Sequence, residues 1–454
     1  MRQFSTFYIS KVEYNDKTLC AKFHYSFDKE VFFVEEIDFS SPWFEKRKDI
    51  DSEILQNLLF HISISLWISY YKLFPTKKIV VEWWYLSKED KAFWKKFYLK
   101  GLWEFLYNNN ISPRGLFTFA STIKKPAKKA DVDFTLDETY LLPIGGGKDS
   151  IVSTLILQSL KKSITPVIVG KIDPIKQDFL DISRYKALNI KRTLCDNLFT
   201  LNAEGYYNGH VPITGMISFI LTFSAYLYNF KYIVFSNEKS AEEPNTRYQG
   251  MDVNHQYSKS LEFENDIRSY IFRNISNTLQ YFSLLRGLYE IEIAKIFSKK
   301  GKKYFEHFSS CNKNFQIFKS TKEKKRWCGE CPKCLFVYMI LRPNLTKKQV
   351  LQIFWSEFYE NKDLLPLFLS LFGHTSNKPF ECVGEKEESL LAIFEALKSW
   401  KGELPTLLKY FQANVLGKTK KLDIKGLQKK YFTQSKQTNI PKELQRQILK
   451  HYDA

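Results

Sequence analysis

The stretch that most restricts how this chain can fold runs from Leu141 to Ser150, where an apolar segment ends in three glycines followed by Lys-Asp-Ser. A second apolar segment follows directly, so the pattern predicts a strand, a tight loop and a helix. Glycines let the loop backbone turn sharply and approach a ligand, and a helix N-terminus favours phosphate. Asp149 or Ser150 is expected to cap the helix. The predicted phosphate-binding residues are Gly145, Gly146, Gly147, Lys148, Asp149 and Ser150.

This glycine loop follows neither of the two most familiar nucleotide-binding patterns. A Walker loop has four residues between its glycines and then Gly-Lys-Ser or Gly-Lys-Thr, and the dinucleotide pattern is Gly-x-Gly-x-x-Gly. The run Gly146-Gly147-Lys148-Asp149-Ser150 instead resembles the loop of the PP-loop ATP pyrophosphatases. That resemblance implies an enzyme that splits ATP into AMP and pyrophosphate.

The composition is that of a globular protein with a basic surface. The chain has 454 residues, 44% of them hydrophobic, and a formal net charge of +19, so it is long enough for two or three domains. A basic surface attracts nucleic acid or anionic substrates. No basic stripe interleaved with aromatic residues marks an RNA-binding module, so we interpret the excess lysine as a solvated surface and do not expect nucleic acid as a partner.

The apolar segments are not typical of export or of membrane insertion. The first residues lack the apolar region of a signal peptide. The most apolar helical candidate, Ile54 to Phe74, contains Gln56, Asn57 and His61, which favours a buried helix over a membrane span. The seven cysteines are unevenly distributed, and four of them have metal-site spacing rather than a disulfide pattern. We therefore expect a cytoplasmic protein without a membrane span.

Four segments are predicted along the chain. Residues 1–120 are expected to form an α+β domain in which no catalytic cluster is recognisable. Residues 121–138 are polar and without period, which is typical of a linker. Residues 139–342 are expected to form an ATP-binding catalytic domain that includes a cysteine site, and residues 343–454 a helical C-terminal region.

Strand and helix patterns alternate from Thr139 onward, which predicts an α/β fold with a doubly wound parallel sheet. Ligands bind at the carboxyl ends of the strands of such a sheet. The polar residues Ser236, Asn237 and Glu238 directly follow a predicted strand, so we expect them at the same ATP site as the glycine loop. Beyond Ser260 the patterns predict mostly helices, one of them over residues 281–297.

The cysteines predict a metal site. Cys328, Cys331 and Cys334 lie within seven residues of one another, and Cys311 lies upstream. Four thiolates suit a closed, tetrahedral zinc site of the structural type. A C-x2-C-x2-C run also occurs in iron–sulfur proteins, where a nearby fourth Cys-Pro usually follows, so an iron–sulfur cluster is the less favoured alternative. The isolated cysteines, expected to be small buried apolar residues, are Cys20, Cys195 and Cys382.

Two polar clusters lie between the glycine loop and the cysteines. His210 stands in a glycine-containing loop before a predicted helix, where a local cap and a functional role are equally consistent with the pattern. The segment 254–264 combines His, Gln, Tyr, Lys and two Glu. A proton-transfer enzyme needs such groups with a pKa tuned near neutrality. His255 and Lys259, with His210, are therefore candidates for acid–base chemistry or for binding a carboxylate.

Taken together, these motifs resemble the bacterial UDP-N-acetylmuramoyl-L-alanyl-L-glutamate epimerase family, known as MurL. Besides the glycine loop, the resemblance rests on residues 209–212, 236–241, 253–264 and 327–337. It covers most of the chain and is most specific between residues 139 and 342. One departure is the run Glu-Glu-Pro-Asn after Ala241, where a glycine-containing loop is expected.

The resemblance implies an isomerase that inverts the terminal L-Glu of UDP-MurNAc-L-Ala-L-Glu to D-Glu for peptidoglycan synthesis and cell shape. It implies ATP and Mg²⁺ as requirements, with adenylation of the carboxylate before the Cα proton is removed. The glycines and Ser150 would then bind the phosphates, Lys148 would neutralise phosphate charge, and Asp149 would hold Mg²⁺. His255, Lys259 and His210 would act on the substrate.

Two other interpretations remain open from the sequence. A PP-loop enzyme that modifies tRNA or a deazaguanine-type nucleobase fits the positive charge and the cysteines. Against it, it has no evident use for the His and Lys cluster. A catalytically inactive nucleotide-binding scaffold is the third possibility, and the intact Lys-Asp-Ser ending of the glycine loop argues against it.

Overall fold

The protein is described here from a computed structural model. The described residues are 2–125, 134–248, 250–315, 326–374, 379, 381–416 and 423–452.

Within these ranges the chain forms twelve strands. They are β1 (Thr6–Asn15), β2 (Cys20–Phe27), β3 (Val31–Asp38), β4 (Lys78–Val81), β5 (Thr118–Ser121), β6 (Asp137–Pro143), β7 (Ser163–Val169), β8 (Leu188–Thr193), β9 (Phe230–Phe235), β10 (Thr246–Tyr248), β11 (Met251–Val253) and β12 (Gln280–Ser283).

The same ranges contain seventeen α-helices. They are α1 (Ser52–Leu66), α2 (Ile68–Tyr71), α3 (Lys88–Gly101), α4 (Trp103–Asn108), α5 (Lys148–Ser159), α6 (Pro174–Ser183), α7 (Asp196–Ala203), α8 (Ile213–Leu227), α9 (Leu261–Asn274), α10 (Glu290–Lys300), α11 (Pro332–Leu341), α12 (Lys347–Phe354), α13 (Leu365–Leu371), α14 (Lys386–Ser399), α15 (Thr406–Asn414), α16 (Ile424–Tyr431) and α17 (Lys442–Tyr452).

A parallel sheet forms the centre of the molecule, in the order β12-β9-β6-β7-β8. All four pairings within this order are parallel. The strands are buried on both faces, because alternate residues point into two separate apolar cores. Leu141 belongs to a core shared with α1 and α8, whereas its neighbours Tyr140 and Leu142 belong to a core shared with α5, α10 and α11. The predicted α/β class and the helical C-terminal region are confirmed.

The N-terminal strands extend the same sheet. β3 pairs antiparallel with β8, and the order then continues as β2-β1-β4-β5 to give ten strands in all among the described residues. A buried ion pair between Arg192 and Glu35 spans this junction. Most pairings in this sheet are parallel. The antiparallel ones are β8 with β3, β3 with β2, and β2 with β1.

The predicted division into four segments remains a prediction. The proposed linker begins at the end of β5 and reaches the start of β6, and its residues 126–133 lie outside the described residues. The structure adds that strands from residues 1–120 and from residues 139–342 form one hydrogen-bonded sheet.

One helix prediction is wrong in part. Residues 281–297 were expected to form a helix, but Gln280–Ser283 is the edge strand β12 and the helix α10 begins only at Glu290. The short apolar run pairs with β9, and a run of this length fits a buried strand and a helix equally well until its partner is known. None of the described helices is long and apolar enough to cross a membrane.

Candidate active site

A cavity opens where the order of the parallel strands reverses. β7 and β8 lie on one side of β6, and β9 and β12 lie on the other. Loops that follow neighbouring strands at such a point diverge and leave a crevice that binds ligands. The glycine loop follows β6 and residues 236–238 follow β9. The cavity between them has a volume of about 360 Å³, within the range of roughly 300–1,000 Å³ for ligand sites.

The cavity brings together most of the predicted site residues. Those that line it are Gly145, Gly147, Asp149, Ser150, Ser236, Asn237, Glu238 and Lys259. It is also lined by polar residues that the sequence interpretation did not select, namely Lys176, Ser309, Ser310, Lys333 and Cys382.

The glycine loop owes its shape to two glycines that lack room for a side chain. Gly146 has a φ of +85°, and a Cβ there would lie 2.6 Å from Cγ2 of Ile175. A Cβ on Gly147 would lie 2.8 Å from Oγ of Ser310. Ser309 N donates a hydrogen bond of 3.1 Å to the carbonyl of Gly146. The loop is therefore clamped between α6 and the chain before Cys311, and its conformation is defined by packing.

Lys148 lies behind the loop rather than at the cavity. Its side chain is buried and its ammonium pairs with Glu290 and, at 2.5 Å, with Asp149. Glu290 also lies 3.2 Å from Lys333. Burial opposes ionisation of Glu290, but the two lysines outweigh it and lower its pKa to about 2. The expectation that Lys148 faces phosphate is therefore not supported by its position, which instead anchors α5 to α10.

Carboxylates and an unsatisfied hydroxyl face the cavity. Asp149 and Glu238 both line it. Burial raises the pKa of Glu238, and the nearby Lys259 partly offsets this effect. The hydroxyl of Ser236 is buried and has no hydrogen-bond partner among the described residues. A buried polar atom without a partner costs free energy, so this hydroxyl is suited to bind a ligand.

The two predicted histidines meet at a carboxylate that the sequence analysis did not select. Glu104, from α4, accepts a hydrogen bond from Nδ1 of His255, and Nδ1 of His210 lies 3.5 Å from the same oxygen. Burial would lower the pKa of His255, but Cys382 and Glu104 raise it to about 10. Burial and the charge of His255 hold the pKa of His210 well below its ordinary value. These opposite shifts favour a positive charge on His255 rather than on His210.

Glu104, His210 and His255 each place one ligand atom within 4.8 Å of the others, and an arrangement of this kind could also hold a metal ion. We interpret the group as a hydrogen-bonded cluster, because both histidines have Nδ1 at the same oxygen of Glu104.

The three isolated cysteines were expected to be buried, but Cys20, Cys195 and Cys382 are all only partly buried. Of these, Cys382 lies at the cavity. Its Sγ lies 3.4 Å from Nζ of Lys259, and it is close enough to His255 for each group to shift the pKa of the other. The thiol therefore lies at the cavity and near the histidine cluster.

The four predicted metal-site cysteines converge. Their Sγ atoms lie within 4.8 Å of one another, with 3.6 Å between Cys328 and Cys334 and 3.4 Å between Cys331 and Cys334. Thiolates bound tetrahedrally to one zinc ion at 2.3 Å are about 3.8 Å apart. All four are free thiols rather than disulfides. Gly329, with a φ of +73°, makes the turn between the first two cysteines of the run.

Residues next to the cysteines in the chain line the cavity. Ser309 and Ser310, which pack on the glycine loop, immediately precede Cys311. Lys333, which lines the cavity, stands between Cys331 and Cys334 at the start of α11. A metal held here would fix both segments relative to the loop.

The residues missed by the sequence analysis share one property, which is that their partners are distant in the chain. Glu104 lies in a segment where no catalytic cluster was recognisable, and Cys382 and Glu290 stand in helical or irregular surroundings without a motif. Lys333 alone had a local signal, since it lies inside the cysteine run.

Comparison with protein-family models identifies two matching domains. Residues 1–284 match the MurL N-terminal domain, and residues 307–423 match the MurL C-terminal domain. The first match extends from β1 to β12, so it includes the glycine loop, both histidines and Lys259, whereas the second includes the four cysteines and Cys382.

Similar proteins carry one name. A protein of Xanthomonas oryzae pv. oryzae is 33% identical over 401 residues, covering 88% of each chain. A Micromonospora protein is 33% identical over 81% of this chain and 80% of its own, and a Salinispora tropica protein is 32% identical over 87% and 85%. Each is named UDP-N-acetyl-alpha-D-muramoyl-L-alanyl-L-glutamate epimerase. By the family models and by these relatives, the chain belongs to the MurL family.

Proposed function

We propose that this protein inverts the terminal L-Glu of UDP-MurNAc-L-Ala-L-Glu to D-Glu, in the synthesis of a peptidoglycan precursor, and that it uses ATP to do so. The name shared by three relatives of nearly full coverage supports the reaction. The observation that carries the use of ATP is the cavity at the strand-order reversal, where the glycine loop and residues 236–238 face each other.

The need for ATP follows from the acidity of the Cα proton. A carboxylate makes the adjacent Cα–H a very weak acid, because the carbanion would place a second negative charge beside the first. Transfer of AMP to the carboxylate, with release of pyrophosphate, removes the first charge and lets the acyl group delocalise the carbanion. Deprotonation, reprotonation from the opposite face and hydrolysis then yield the D-epimer and AMP.

The proposed site residues divide by their position. Gly145, Gly147 and Ser150 border the phosphates, while Gly146 gives the loop its turn. Ser236, Asn237 and Glu238 form the opposite wall, where the unpartnered hydroxyl of Ser236 fits a polar ligand. Lys259 lines the cavity and its charge acts on His210, so it is suited to bind the substrate carboxylate.

The metals of the proposal are Mg²⁺ and zinc. Asp149 would hold Mg²⁺, which supplies positive charge to the phosphates of ATP. The cysteine cluster would hold a structural zinc ion. Its four Sγ atoms lie within 4.8 Å of one another, which suits four ligands of one ion, whereas the thiolates of an iron–sulfur cluster bind different irons.

The strand order supports a PP-loop ATP pyrophosphatase type of fold for residues 139–342. In that segment the sheet holds five parallel strands, and the glycine loop follows the first of them, β6. Strands β7 and β8 lie on one side of β6, and β9 and β12 lie on the other. We propose this as the architecture of the catalytic domain.

The decisive experiment incubates the protein with ATP, Mg²⁺ and UDP-MurNAc-L-Ala-L-Glu in D₂O. The expected result is AMP and pyrophosphate, a D-Glu product, and deuterium at its Cα. Inversion without ATP would refute the activation step. AMP release without inversion would assign the protein to ligation or hydrolysis, and salt-dependent binding to tRNA with no turnover of the dipeptide would favour the nucleobase-modifying alternative.

A further inference from the structure

One side chain at the cavity, Cys382, has no role in the reaction proposed above. Its Sγ lies 3.4 Å from Nζ of Lys259, and both side chains line the cavity. Its second partner, His255, is not among the described residues that line the cavity. The thiol is thus a group at the cavity that also lies near the histidine cluster.

The surroundings of Cys382 favour its ionised form. Burial raises the pKa of the thiol, but the ammonium of Lys259 and the nearby His255 lower it to about 5. Lys333 adds a third positive charge, whereas Glu381 is the neighbouring acid that faces the thiol. The thiol in turn affects the imidazole of His255, because Cys382 contributes to the raised pKa of that histidine. A thiolate paired with an imidazolium is the arrangement of reactive cysteines.

We propose that Cys382 is the base that removes the Cα proton of the activated glutamate on one face, and that Glu104 and His255 position and charge it. The proposal rests on the proposed epimerisation. It is carried by the geometry of a partly exposed thiol that lines the ligand cavity between a lysine and a protonated histidine.

Every proton and electron pair of this step is accounted for. The Cα–H bond breaks, its proton forms an S–H bond on Cys382, and its electron pair is delocalised into the adenylated acyl group. That pair then forms a new C–H bond with a proton delivered from the opposite face by an acid that exchanges with solvent. Cys382 returns its proton to water, and hydrolysis of the acyl adenylate releases AMP.

The test compares the full-length protein with Cys382→Ala and Cys382→Ser, using ATP, Mg²⁺ and each epimer of the UDP-MurNAc dipeptide in D₂O. Both variants should still form AMP within about tenfold of the parent rate, while inversion falls by about 10²–10⁴, the contribution of a general base. Exchange of the Cα proton should be lost from one epimer and retained from the other. Cys20→Ser, a partly buried cysteine of β2, is the matched control and should change nothing.

Three outcomes would overturn the assignment. The first is inversion by Cys382→Ala within tenfold of the parent. The second is loss of AMP formation together with inversion in both variants, which would place the residue in nucleotide binding. The third is a thioester between Cys382 and the substrate, detected by mass spectrometry, since the residue would then be a nucleophile. If the parent protein itself inverts neither epimer, the proposed function fails instead.

The positioning role has a separate readout. Alkylation of Cys382 by iodoacetamide, followed by peptide mass spectrometry, should have a midpoint near pH 5 in the parent protein. His255→Gln should shift this midpoint upward, because the thiolate loses a positive neighbour. An unchanged midpoint would overturn the role of His255, and a midpoint near pH 8.5 in the parent protein, the ordinary value for a thiol, would overturn the thiolate itself.

Discussion

Replacement of Gly146 by alanine tests whether packing defines the nucleotide loop. The residue has a φ of +85°, and an added Cβ would lie 2.6 Å from Cγ2 of Ile175, far inside the 3.5–4.0 Å at which carbon atoms make favourable contact. Ile175 cannot easily move away, because it is buried and its N–H is bound by the capping Asp173 at 3.0 Å.

The expected cost has two parts. A non-glycine residue in the left-handed region loses about 1–2 kcal/mol, and inserting a methyl into a packed site costs about 1–3 kcal/mol. Gly146→Ala should therefore lower the free energy of unfolding by about 2–5 kcal/mol. At Gly145 a Cβ would meet nothing within 4 Å, so Gly145→Ala should change stability by less than about 1 kcal/mol.

Urea unfolding followed by tryptophan fluorescence measures both variants. The steric part is isolated by a double-mutant cycle with Ile175→Ala, which removes Cγ2 and should give a coupling energy of about 1–3 kcal/mol. The reasoning is refuted if Gly146→Ala unfolds within about 0.5 kcal/mol of the parent, or if Gly145→Ala is equally destabilising. A large effect with no coupling to Ile175 would assign the whole cost to the backbone.

Three further predictions concern buried charge and the cysteine site. Glu290→Gln should destabilise the protein by about 3–5 kcal/mol in thermal or urea unfolding, because Lys148 and Lys333 would lose a buried partner. Burial and the charge of Glu290 raise the pKa of Glu388 to about 8, so the native state loses stability as the pH rises from about 4.5 to 8; Glu388→Gln should flatten the dependence of Tm on pH over this range. Cys331→Ser should abolish bound zinc, measured by elemental mass spectrometry, and lower Tm.

Each of these three has a matched comparison. Glu403→Gln removes one partner of an exposed pair with Lys409 and should cost far less stability than Glu290→Gln, so an equal loss in these two variants would contradict the burial argument. Parallel Tm curves for Glu388→Gln and its parent would show that Glu388 does not titrate as proposed. Zinc retained by Cys331→Ser, or iron in the parent protein, would contradict a four-cysteine zinc site, and Cys195→Ser should leave metal content unchanged.

Much of the fold was predictable because its elements have local signals. The strand, glycine loop and helix around Gly146 were expected and are present at β6 and α5, with the loop between them. The alternating residues of β2 and β3 and the long apolar run of α8 are local signals of the same kind. The edge strand β12 was not, because a four-residue apolar run becomes a strand only through its pairing with β9.

The site was predictable only where its residues are close together in the chain. The cysteine cluster was expected from spacing alone, since Cys328, Cys331 and Cys334 lie in the turn before α11 and in its first residues. The direction of Lys148 was not, because its burial against Glu290 depends on how α5 packs on α10. Nor was the role of Glu104, since it reaches His255 only because α4 of the N-terminal segment packs near residues 254–260.

The sequence by itself therefore determined the conformations that depend on a few consecutive residues, which are the glycine turn and the grouping of Cys328, Cys331 and Cys334. The expected helix cap was wrong, because α5 begins at Lys148 with Gly147 at its N-cap, and neither Asp149 nor Ser150 caps it through a side chain. Only the tertiary structure decided which distant charges meet. Cys382 and Lys259 are far apart in the chain, and their contact at 3.4 Å follows from sheet order and helix packing. Burial and neighbouring charge set the pKa of such groups, and neither property can be assigned to a residue before its neighbours in space are known.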